Sequence, residues 1–116
     1  MRNLNNFELV ILEKLANLYP AIKSHIPFLQ VEGIEITGVG MYVNFKYKID
    51  GKHLELIAVN DGELSVEGHK IEIKNLKYGL CDVIAVKDGL IAYIELVTYG
   101  ELWDGDTTGF TIEDEQ

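Results

Sequence analysis

Asp-Gly occurs three times in this chain, at 50–51, 61–62 and 88–89, each time between runs of β-favouring residues. The pair supplies the positive φ angles of a type I′ turn, so each is a hairpin signal. Most of the chain after residue 30 is thereby directed into antiparallel strands. Met41, Val43, Phe45, Tyr47 and Ile49 alternate with Tyr42, Asn44, Lys46 and Lys48, which is a strand with one buried and one wet face. The pattern predicts strands at 31–37, 41–49, 53–59, 63–66, 69–74, 80–87 and 90–99.

The N-terminus has a different period. Phe7, Ile11, Leu15, Leu18 and Ile22 follow helical steps and line one face. Asn5 or Asn6 is the candidate N-cap. Pro20 lacks an N–H and disfavours α geometry at Tyr19, so the first helix should end near Leu18. A short second helix from Pro20 to about His25 follows, closed by Pro27. The expected fold class is α+β: an N-terminal helix or helix pair packed on an antiparallel, meander-like β-sheet.

Two runs depart from simple alternation. VIAV at 83–86 and LIAYIELV at 90–97 are apolar on both alternating sets. Such strands are covered on both faces. Helices supply one cover. The other requires a curled sheet, a loop or a second subunit, and a homodimer is one way to provide it.

The 116 residues suffice for a single domain, and 47% of them are hydrophobic, enough for a core without disulfides or metals. Cys81 is the one cysteine, in keeping with a reducing, cytoplasmic setting. The first ten residues lack a signal-peptide pattern, and no apolar run is long enough for a membrane span. Net charge is −9. Residues 1–100 hold 13 acids against 10 bases, whereas residues 101–116 hold six acids and no base. That balance argues against nucleic acid, which needs Lys and Arg to displace counterions, and permits a basic protein partner. From about residue 104 the chain reads as an acidic, solvated tail.

Two segments, EITGVGMYVNF (35–45) and GLCDVIAVKDGLIAYIELVTYGELW (79–103), resemble a family of small uncharacterised bacterial proteins. Its members carry a T-G-V-G-[FM]-[FY] segment and a later D-G-x-[IL]-x-x-[LI]-E-x-x-T-Y-G-x-x-W segment. The matching residues are Thr37, Gly38, Val39, Gly40, Phe45, Gly79, Gly89, Ile91, Glu95, Thr98, Tyr99, Gly100 and Trp103. Leu80, Cys81 and Asp82 depart from the family's G-A-G-F, and Asp104 stands where proline is frequent. The resemblance implies a compact bacterial α+β protein and no particular activity.

Gly38 and Gly40 interrupt a strand pattern. The expectation is a bend or bulge that redirects the sheet edge, because GVG lacks the third glycine and following helix of a dinucleotide loop. Glu95 stands in an apolar strand, on the alternating set that also holds Ile91, Tyr93, Val97 and Tyr99. Its two readings are a carboxylate that organises packing and, with Tyr93, Tyr99 and Trp103, an acidic contact in an aromatic-walled ligand pocket. No catalytic constellation emerges. His25, His53 and His69 are scattered, Cys81 has no reactive-thiol signature, and Ser24 and Ser65 have no nucleophile elbow. No His/Cys spacing suits a metal, and no cofactor motif occurs. Asp104, Asp106, Thr108, Gly109 and Glu115 echo a calcium loop, but Thr108 stands where Asp or Asn is needed, Thr111 where an apolar residue is, and a strand rather than a helix precedes it, so coincidence is the better reading.

The composition therefore points away from catalysis and toward a non-catalytic interaction protein. One form is an inhibitor or immunity-like protein that covers a basic surface with carboxylates. The alternative is a small-ligand domain with its pocket near Glu95, Tyr99 and Trp103.

Overall fold

Asn5 starts the first helix, α1 (Asn6–Leu18), in the computed structural model, which describes residues 1–49, 53–58, 62–65 and 69–114. The Asn5 side chain accepts from the Glu8 N–H, and the Glu8 carboxylate accepts from the Asn5 N–H, both at 2.9 Å. Two helix-end donors are thus satisfied reciprocally. α1 stops at Leu18, ahead of Pro20. The second helix, α2 (Ile22–His25), leads through a 3-10 turn (Ile26–Phe28) into the sheet. Phe7, Ile11, Leu15 and Ile22 are buried as the spacing predicts, with Leu12 added. Leu18 is exposed, whereas Leu15 and Ala16 of the same last turn pack on the core.

The strands are β1 (Leu29–Ile36), β2 (Gly40–Tyr47), β3 (Gly62–Ser65), β4 (His69–Glu72), β5 (Leu80–Lys87), β6 (Leu90–Thr98) and β7 (Thr111–Asp114). All pair antiparallel, in the order β1-β2-β6-β5-β4-β7. β3 lies along Val83–Val86 of β5, and β4 meets the same strand at Leu80. The fold is therefore α+β, with a helix pair packed on an antiparallel, meander-like sheet. α1, α2 and the inward residues of β1, β2, β5 and β6 share one apolar core.

Asp88 (φ 53°) and Gly89 (φ 76°) make the β5–β6 turn with the backbone angles the dipeptide implies. Asp50-Gly51 and Asp61 lie outside the described residues. The strand expected at 53–59 is not present over 53–58. Polar backbone groups there serve as cross-links: the Ile57 N–H donates to Gly89 O at 3.0 Å, and Glu55 O accepts from His25. β7 was not expected. It sets Lys70 of β4 opposite Glu113, while the Lys70 ammonium pairs with Glu72 of its own strand at 3.1 Å.

Two bulges reset the alternation. β1 carries one at Glu32, between the pairs Val31↔Phe45 and Gly33↔Asn44. β6 carries one at Ala92, between Val86↔Ile91 and Ala85↔Tyr93. The extra residue reverses the parity of β6, so Ile91 joins Ile94, Leu96 and Thr98 on the core side. Ile91 therefore leaves the set that sequence alternation gives it.

Candidate functional site

Alternation sends a second set of side chains to the outer sheet face, opposite the helices. β2 contributes Tyr42 and Asn44, β6 contributes Tyr93, Glu95 and Val97, and β5 contributes Cys81, Val83 and Ala85. Glu35, Tyr42, Glu95 and Val83 stand in register across four strands, so two carboxylates flank Tyr42. The Tyr42 and Tyr93 rings meet edge to face, with centroids 5.4 Å apart. Most of these side chains are half-buried by one another, and no helix or strand among the described residues lies over them. Of the double coverage expected for residues 83–86 and 90–97, the core side is covered, and over the outer side no helix or strand lies among the described residues.

Tyr99 follows the end of β6 and is exposed. It makes a hydrogen bond with the Cys81 side chain. Burial pushes the Cys81 thiol up, the nearby Asp82 and Glu95 charges add to this, and the Tyr99 bond opposes it. Cys81 is consequently a poor thiolate.

The structure brings Tyr93, Glu95 and Tyr99 to this face and places Trp103 elsewhere. Trp103 is buried in the core, 5% exposed. Its backbone N–H donates to Gly38 O at 2.8 Å and its indole N–H to Asp106 O at 3.1 Å. An open depression lies beside it, lined by Gly38, Asn75, Leu102, Trp103 and Asp104.

Gly38 has φ 91° in the β1–β2 turn, a conformation that side chains disfavour. At Gly40 a Cβ would run into the Leu96 carbonyl of β6. One glycine makes the bend and the other lets two strands close.

Sequence reasoning missed one polar network. His25 is fully buried. Its Nε2 lies 2.6 Å from Glu55 O and its Nδ1 2.7 Å from the Tyr47 hydroxyl. A carbonyl only accepts, so Nε2 donates to Glu55 O, and in the tautomer with its proton on Nε2 the ring accepts from the Tyr47 hydroxyl at Nδ1. The Tyr47 oxygen in turn accepts from the Ile91 N–H at 2.9 Å. The chain links α2, β2, β6 and the 53–58 segment. Burial pushes the Tyr47 hydroxyl up to about 12. His53, by contrast, is exposed. The available signal was parity: Tyr47 falls on the inward set of its strand, where a hydroxyl needs a partner.

The acidic stretch lies against the body of the protein through Asp114. Phe110 packs on Phe7 of α1, centroids 4.9 Å apart, ahead of β7. Asp104 and Asp106 accept from the Asp106 and Thr108 N–H groups at 3.0 and 2.9 Å. Hydrogen bonds from Thr108 hold Asp106 below the usual carboxylate range. Among the described residues no group of three or more His, Cys, Asp or Glu side chains is placed to hold a metal ion. Nor is any described helix long and apolar enough to cross a membrane.

No model of a known protein family matches the chain, and neither a curated protein nor a solved structure does.

Proposed function

We propose that the chain is a non-catalytic interaction protein of inhibitor type, which docks a basic protein partner on its outer sheet face. The observation that carries this reading is the row Glu35–Tyr42–Glu95, with Tyr93 against Tyr42, on a face that no described element covers. Tyrosines offer large, rigid contact area with a polar tip, and they recur as interface anchors. Carboxylates beside them favour Lys and Arg across the interface, and the net charge of −9 steers such a partner in.

The test is capture from lysate at low salt, followed by purification of any basic partner and titration against the wild type, Glu95→Lys and Tyr93→Ser. The expected result is a basic partner released as salt rises and bound more weakly by both variants. Recovery of salt-insensitive partners only, or variants that bind equally well, would count against it. Sedimentation adds a discriminating outcome: a homodimer that Glu95→Lys splits would assign the face to a second copy instead.

A further inference from the structure

β1 is an edge strand, and half of that edge is open. Thr37 N–H donates to Gly40 O at 3.0 Å, closing the β1–β2 hairpin. Antiparallel alternation then directs the backbone groups of Gly33 and Glu35 toward β2, and those of Ile34 and Ile36 away from it. Upstream the edge is occupied, because Arg2 and Val31 exchange two backbone hydrogen bonds of 3.0 and 2.8 Å. Among the described residues no backbone group bonds Ile34 or Ile36 on the outward side. Their side chains are 42% and 55% exposed. An open edge strand of this kind invites a further strand.

We infer that the Gly33–Ile36 edge of β1 takes an extended segment of a partner protein, alternating apolar and basic residues, as an added antiparallel strand. Charge decides the occupant. Glu35 and Glu32 are exposed along the same edge. An incoming strand with apolar residues opposite Ile34 and Ile36 presents its intervening residue to Glu35, where Lys or Arg is favoured. A second copy fits poorly. Pairing Ile34 with Ile36 of another β1 sets Glu35 against Glu35, with Cα atoms about 4.5 Å apart in a non-hydrogen-bonded pair. Shifting the register either way meets the Glu32 bulge or the Gly38 turn, whose carbonyl already accepts from Trp103. The inference shares with the proposed function the expectation of a basic partner and adds a second contact surface, of main-chain type.

The test uses the whole chain and two short amidated peptides, one alternating lysine with valine and one alternating glutamate with valine. Backbone amide NMR and hydrogen exchange are followed during titration. The lysine peptide should slow exchange at the Ile34 and Ile36 amides, and the glutamate peptide should not. Glu35→Lys should weaken the lysine peptide about fivefold, with Glu35→Gln intermediate. Ile34→Pro, which removes an outward donor at a tolerated edge position, should abolish the protection. Glu95→Lys should leave peptide binding unchanged. Equal binding of both peptides, no protection at Ile34 and Ile36, or shifts confined to the Tyr42–Tyr93 face would overturn the inference. A basic partner that responds to Glu95→Lys but not to Ile34→Pro would sink the edge site and leave the outer-face reading standing.

Discussion

Removing one oxygen should cost this protein much of its stability. In Tyr47→Phe the ring stays and the hydroxyl goes. Two groups lose their partner: the Ile91 N–H, 2.9 Å away, and His25 Nδ1, 2.7 Å away on a ring with no solvent access. A buried polar group left unsatisfied costs about 1–3 kcal/mol, so the pair together amounts to about 3 kcal/mol. For a domain of this size that lowers the melting temperature by about 12 °C. Urea unfolding followed by circular dichroism measures it, with the slope unchanged because the same surface is exposed on unfolding. His25→Leu in the same background separates the pairwise part. Once the imidazole is gone, Tyr47→Phe should cost about 1 kcal/mol less than it does in the wild type. A loss below about 0.5 kcal/mol for the single variant, or strict additivity in the double variant, would refute the network as a linked unit.

Tyr47 also sets an alkaline limit. Its folded pKa is raised, so the stability it contributes is complete below pH 10 and is lost as pH climbs from 10 toward about 12. Allowing for solvent screening of a half-buried group, the loss is about 1 kcal/mol, and the Tyr47→Phe variant should lack that slope in stability against pH. Gly40→Ala should cost about 2 kcal/mol in chemical unfolding because its Cβ meets the Leu96 carbonyl, whereas Gly38→Ala should cost about 1 kcal/mol through its φ of 91° alone. Arg2→Leu strips the buried Glu8 carboxylate of two hydrogen bonds, of 2.7 and 2.8 Å, leaving it the Asn5 N–H. With Arg2 itself part-exposed, the expected loss is about 1–2 kcal/mol by the same measurement. Cys81 should react slowly with iodoacetamide at neutral pH, and Asp82→Asn should speed it, since the Asp82 charge helps hold the thiol protonated.

Local chemistry was enough to determine much of this protein. Asn5, Glu8 and Pro20 set the limits of α1 through capping and the missing N–H, whatever the rest of the chain does. Asp88-Gly89 imposes its turn by backbone angles alone, and strict alternation from Met41 to Tyr47 sorts β2 into an inward and an outward face. Those features lie within a few residues of their cause. The outer face was partly legible for the same reason: parity puts Tyr93 and Glu95 together. Tertiary structure decided the rest, because it depended on which strands became neighbours. The Ala92 bulge moved Ile91 to the core side, so Tyr93, Glu95 and Val97 are what β6 presents on the outer face. Only the pairing of β2 with β6 brings Tyr42 between Glu35 and Glu95, and only the closure of the 53–58 segment over the β5–β6 turn gives His25 its partner. Trp103, close in sequence to Tyr99, went to the core because its indole found Asp106 and its backbone found Gly38. Contacts between residues distant in sequence are fixed by register and by the joint burial of apolar surface, and a single chain's pattern encodes neither by itself.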